Sequence, residues 1–169
     1  MIPHRKRLTV LPTRLLAFVV PALTFAACQT TNAAEAEAAS KKVGITKGIC
    51  VVLGLPKADQ AGFVADLAKG SQLLIYFQSP NHDQVTEVRK RAEEAGLLGR
   101  RVFVDRGQWG AIHLADNLAG AVLVAPAAEK SVAREELLRV LHPQGKVVLS
   151  SGEIVKPFPE GIDDWSCRF

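Results

Sequence analysis

The chain has 169 residues, of which 48% are hydrophobic and 22% charged, with a formal net charge of +4. Once an export segment is set aside, that length allows one domain with a true core and leaves no room for two. The positive charge belongs to the N-terminus, because without Arg5, Lys6, Arg7 and Arg14 the 21 Lys and Arg fall to 17, equal to the 17 Asp and Glu. A balanced remainder offers no electrostatic footprint for nucleic acid, which excludes that class of partner.

Those four cations stand ahead of the apolar run LLAFVVPALTFAA at 15–27, and small residues follow it, which is the layout of a secretory signal. The run is too short to span a bilayer, which takes about 20 apolar residues, and Pro21 interrupts it. Two processing routes are open. Ala34-Glu35-Ala36 and Ala36-Glu37-Ala38 are small-x-small sites, and the first sets a signal peptide at 1–36. Phe25-Ala26-Ala27-Cys28 resembles the lipobox of bacterial lipoproteins, with Phe25 where Leu is usual, and implies a lipid anchor at Cys28. Either route predicts an exported protein, periplasmic or extracellular. Residues 37–47 are expected to be a polar linker, 48–152 the folded domain, and 153–169 a tail.

The domain opens with GICVVLGLPKADQAGFVADLAKG at 48–70, which reads as a buried strand at 49–53, a turn at Gly54 and an amphipathic helix with Phe63, Val64, Leu67 and Ala68 on one face. This is how a nucleotide-binding α/β domain begins, with backbone amides at the helix start facing the ligand. A second strand is predicted at 73–77, then a helix capped by Ser79 with Pro80 in its first position and Val85, Val88, Ala92 and Ala95 inward. Its charged positions, Arg89 to Glu94, form a solvated face. Further strands are expected at 101–105, 121–125 and 146–149, with a helix from Ser131 to Leu141 and a turn at Gln144-Gly145 before the last. The stretch DRGQWGAIHLADNLAG has no periodic pattern and stays unassigned. Alternating strands and helices predict a doubly wound, mostly parallel five-stranded sheet covered on both faces.

The cysteines add little. Cys50 falls in the first strand as a small core side chain, and Cys167 stands near the end, so no disulfide framework is indicated.

The segment REELLRVLHPQGKVVLSS at 134–151 resembles the end of a class I S-adenosylmethionine-dependent methyltransferase core, where R-V-L-x-P-G-G leads into the fifth strand. LADNLAGAVLVA at 114–125 is similar to that family's approach to strand four. With the first loop, the resemblance runs from Gly48 to about Ser151 and implies a Rossmann-like core, here lacking the family's last two strands. The export signal, GICVVLG, the ADNL stretch and the tail KPFPEGIDDW together resemble, more narrowly, the methyltransferase-like domain that precedes a PQQ-binding-type, quinoprotein-like β-propeller in secreted proteins of planctomycete type.

The resemblance implies a glycine-rich loop after strand one, an acidic residue at the end of strand two for the ribose hydroxyls, and an acidic residue after strand three near the adenine. Here the loop keeps Gly54, but Leu55-Pro56-Lys57-Ala58-Asp59 replaces the other glycines. Gln78 ends strand two without a carboxylate's charge. Gln108, beside Trp109, takes the position after strand three, with Asp105 as a nearby substitute. Gly54, Leu55, Gln78, Asp105, Gln108 and Trp109 are therefore the candidate cofactor contacts, and Lys57 is an unwelcome cation beside a sulfonium.

No catalytic residue stands out. His113 is a general-base candidate more simply read as structural, and Asp116-Asn117 suits a turn or cap. Metal-ligand spacing, a phosphate-binding Walker loop and a nucleophile elbow are all missing from the sequence. The expected function is an exported methyltransferase-like module with an eroded S-adenosylmethionine site, associated with a propeller. The alternative is an active methyltransferase acting on a small molecule or a protein.

Overall fold

The computed structural model describes residues 22–57 and 59–159. The basic start of the export signal, Ala58 in the first loop, and Cys167 with the end of the tail lie outside them. Helices α1 (Ala22–Val43), α2 (Gly62–Lys69), α3 (His82–Glu94), α4 (Pro126–Glu129) and α5 (Arg134–Val140) alternate with strands β1 (Lys47–Leu53), β2 (Gln72–Ser79), β3 (Val102–Arg106), β4 (Ala119–Val124), β5 (Leu141–Val148) and β6 (Glu153–Val155). The strands form one sheet in the order β3-β2-β1-β4-β5-β6. The first five are parallel and β6 runs antiparallel to β5, so the sheet is Rossmann-like and has one strand more than the sequence pattern indicated.

Strand alternation sorts the core into two layers. Cys50 and Val52 of β1, Leu73, Ile75 and Phe77 of β2, and Leu123 of β4 face α1, α2 and α3. Val51, Leu53, Val122 and Val147 face α5 on the other side. Burial in the first layer pushes the Cys50 thiol up to about 12, since no water reaches a thiolate there. The inward faces of α2 and α3 are those the periodicity predicts, except that Ala95 is the C-cap of α3 and only partly buried.

Several boundaries differ from the sequence reading. Residues 37–43 are not a linker but the last turns of α1, in which Ala36 and Val43 are buried core residues. Asn81, not Ser79, caps α3, its Oδ1 accepting from the Asp83 and Gln84 amides, and Pro80 therefore precedes the helix. The last predicted helix shortens to α5, and β5 starts earlier than expected, at Leu141, with Gln144 held at φ +66° where the pairing register with β4 shifts.

β6 was invisible as a strand because it is three residues long, with only Ile154 partly buried. It is held by backbone pairing, by Lys146–Glu153 at 3.0 Å, and by Lys156 just beyond it, whose Nζ donates to Asn117 Oδ1 and to the carbonyls of Leu138 and Leu141 that end α5. The second face is also not fully covered. Among the described residues, an irregular loop instead of a helix joins β3 to β4, and Leu74 and Phe103 stay exposed.

Candidate functional site

In a doubly wound sheet, ligands bind beyond the carboxyl ends of the strands, where the strand order reverses. Here that point lies between β1 and β4. Gly54 follows β1 in the left-handed region, φ +75°, and its amide donates to the Gln78 carbonyl of β2 at 3.0 Å. A Cβ there would lie 3.3 Å from Ala125 Cβ and 3.5 Å from Trp109 Cζ2, so glycine is required for conformation and close approach alike. The approaching group is the chain's own indole.

Leu55, one of the candidate contacts, turns away into the helix-side core and is 4% exposed. Lys57 does not overhang the cleft as a bare cation. Its ammonium pairs with Glu35 of α1 at 3.1 Å.

Gln78 is fully buried, and every polar atom of its amide is used. Nε2 donates to the carbonyls of Gln108 and Ala111 at 2.7 and 2.8 Å, and Oε1 accepts from the His113 amide at 3.0 Å. The residue that the resemblance assigns to a ribose instead fastens the β3–β4 loop onto the end of β2. A carboxylate could not do this, because it has no N–H to offer the two carbonyls.

Asp105 is engaged as well. Its Oδ2 takes a hydrogen bond from Tyr76 at 3.1 Å and lies 2.8 Å from His113 Nδ1, while Oδ1 accepts from the Arg106 amide. The bond to His113, with smaller help from Arg106 and Tyr76, holds its carboxyl below the usual carboxylate range. Burial and the same carboxylate push the Tyr76 hydroxyl up. The Gln108 side chain is exposed and only its backbone enters the site. Trp109 packs into the second core layer with Nε1 buried and without a hydrogen-bond partner.

A second fastening comes from α5. Arg139 donates to both carboxylate oxygens of Glu136 at 2.8 Å, to the carbonyls of Ile112 and Leu114 at 2.9 Å, and to Asp116 Oδ1 at 2.5 Å. Glu136 in turn accepts from the Ile112 amide at 2.7 Å, and its ion pair with Arg139 keeps its carboxyl low. Asp116 thus belongs to this anchor, and Asn117, at φ +58°, makes the turn into β4. Arg139 entered the sequence reading only as the first residue of the R-V-L-x-P-G-G resemblance and Glu136 only as part of its helix, neither with an anchoring role, because on a short helix both read as surface charges.

Beside Gly54, a cavity of about 260 Å³ opens between α1 and the ends of β1, β4 and β5. Its walls are mainly apolar, with Val52, Phe63, Leu123 and Val148 inside and Lys42 among the few polar residues. Among the described residues no cluster of His, Cys, Asp and Glu could hold a metal ion.

Sheet order, the left-handed glycine after β1 and the antiparallel final strand define a Rossmann-like fold, consistent with that of the methyltransferases. Solved structures agree with that definition. A Methanococcus maripaludis protein assigned to the S-adenosyl-L-methionine-dependent methyltransferases is similar at 24% identity and TM-score 0.58, over 75% of this chain and 60% of that one. A geranyl diphosphate methyltransferase solved with S-adenosylmethionine matches at 13% identity and TM-score 0.55, over 68% and 47%. The [4+2]-cyclase SpnF matches at 18% identity and TM-score 0.56, over 68% and 43%. The chain thus spans between 43% and 60% of the length of these neighbours. No protein-family model matches it, nor does any curated protein.

Proposed function

We propose that this chain is a methyltransferase-fold module that works without methyl transfer, its own β3–β4 loop standing where the adenosine half of the cofactor would lie. One observation carries the reading. Gln78 spends its whole side chain on the loop that lays Trp109 against Gly54, and Asp105 is committed to His113 and Tyr76. The residues do not fit S-adenosylmethionine, since a ribose at the end of β2 would have to break three buried hydrogen bonds to reach Gln78. Each is worth about 1 kcal/mol net, and their loss alone would weaken binding by more than a hundredfold. The fold itself is neutral on the matter, because one scaffold hosts unrelated functions.

The role that remains is that of an exported binding module. Its partner is the quinoprotein-like β-propeller that the tail KPFPEGIDDW points to. The alternative, an active S-adenosylmethionine-dependent methyltransferase, draws on the cavity beside Gly54, which leaves space at the other half of the cleft. Calorimetric titration decides between them. S-Adenosylmethionine and its demethylated product should give no heat of binding up to millimolar concentration, and a dissociation constant below about 100 μM, some −5.5 kcal/mol, would establish the alternative.

A further inference from the structure

We propose that Cys28 is a lipid-modification site. The mature chain then begins at Cys28 with a diacylglyceryl group on its sulfur, and α1 is the arm joining the domain to a membrane surface. Two independent observations meet at this residue.

The first is the sequence around it. Four cations precede an apolar run that ends in Phe25-Ala26-Ala27-Cys28, small residues directly ahead of a cysteine, which is the arrangement a lipoprotein signal peptidase cuts. The competing small-x-small sites end at Ala36 and Ala38.

The second is the fold, which excludes the competitors on physical grounds. Cutting after Ala36 or Ala38 would sever α1 inside the part that packs. Asn32 and Ala36 are 6% and 3% exposed, and Asn32 lies so close over the start of α2 that a Cβ on Gly62 would come within 3.1 Å of its amide nitrogen. Glu35 pairs with Lys57 in the turn after β1, and Ala38 walls the adjacent cavity. The remaining stub, ending at Val43, would be under two turns of helix, which has no stability of its own. Cutting ahead of Cys28 keeps every one of these contacts. It also leaves about one turn between the modified residue and the buried Asn32.

The chemistry is a transfer followed by a hydrolysis. The Cys28 sulfur attacks the phosphate-bearing glyceryl carbon of phosphatidylglycerol; the new S–C bond replaces the C–O bond, and glycerol phosphate leaves with the electron pair and takes up the thiol proton. Water then cleaves the Ala27–Cys28 amide, giving a carboxylate on Ala27 and an α-amino group on Cys28. Both steps belong to the export machinery, and the chain contributes the thiol and the motif.

The test is expression of the full chain in a Gram-negative host fed radiolabelled palmitate, with mass spectrometry of the mature N-terminus. The wild-type chain should take up label, sediment with membranes and yield an N-terminal peptide starting at Cys28 with the mass of a thioether-linked diacylglycerol. Cys28→Ser should lose the label entirely, whereas Cys167→Ser should keep it. These readouts register mass and label and are independent of folding. An unlabelled wild-type chain starting at residue 37, 39 or any position other than 28 would overturn the proposal, as would label that follows Cys167.

Discussion

Replacing Gln78 by methionine probes the fastening of the β3–β4 loop most cleanly, since the side chain keeps its approximate volume and loses all of its hydrogen bonding. Gln78 is fully buried and makes three bonds, to the Gln108 and Ala111 carbonyls and from the His113 amide. At about 1 kcal/mol net for each neutral bond, the substitution should cost about 3 kcal/mol. The loop can lift and return its backbone groups to water, which keeps the cost from rising far above that figure. With a urea dependence of about 2 kcal/mol per molar for a domain of this size, the unfolding midpoint should fall by about 1.5 M. Trp109 reports on the same event by fluorescence once Trp165, the other of the two tryptophans, is changed to Phe. Gln78→Glu should be worse than methionine at neutral pH, because a buried carboxylate would face two carbonyls. It should recover on acidification, because the new carboxyl can donate once protonated. A Gln78→Met midpoint within about 0.3 M of the wild type, with Trp109 emission unchanged, would refute the claim that this amide holds the loop.

Gly54→Ala forces a side chain into φ +75° against Ala125, and a loss of about 1–2 kcal/mol is expected in thermal or urea unfolding. Trp109→Ala should cost about 2 kcal/mol, less than for a fully buried tryptophan because the indole is only half-buried, with the change in midpoint again read by denaturation. Asp105 and Glu136 both titrate below their ordinary range in the folded chain, so the stability they contribute is fully present above about pH 5, beyond the unfolded carboxylate range, and is lost as the pH falls through their lowered values. An acid titration of the Trp165→Phe chain should accordingly show the Trp109 signal changing below about pH 5, and a main transition at higher pH would assign the loop's stability to other groups.

The strands and inner helix faces were legible because each is a local signal. Cys50 to Leu53 and Ala121 to Val124 are runs of apolar residues buried on both sides, and Val85, Val88 and Ala92 repeat at helical spacing. What stayed hidden depends on contacts distant in sequence. The end of α1, residues 37–43, looked like a linker because its alanines and polar residues carry little amphipathic pattern, and only packing shows Val43, with Ala36 of the predicted signal, to be core. β6 is three residues, exposed but for the partly buried Ile154, and it owes its place in the sheet to pairing with β5.

The candidate site divides the same way. Gly54, Gln78, Asp105 and Trp109 do gather at the carboxyl end of the sheet, as their places after successive strands imply. Leu55 does not join them, and the Gln108 side chain stays outside. The spacing could not show that Gln78 and Asp105 are turned toward the loop, because their partners lie about thirty residues away or on another strand. Arg139, which ties Ile112, Leu114 and Asp116 to α5, stands at the head of the R-V-L-x-P stretch that carries the resemblance, but nothing local to it showed this anchoring role.

The central claim is that Trp109, and not a cofactor, covers Gly54. Nuclear Overhauser contacts between the Trp109 ring and the Gly54 α-protons test it directly, recorded alone and with millimolar S-adenosylhomocysteine. With ring carbon Cζ2 so placed that a Cβ on Gly54 would be 3.5 Å away, the cross-peaks should be strong and unchanged by the ligand. Cross-peaks that vanish as ligand is added, with new contacts from adenine to Gly54, would contradict the account.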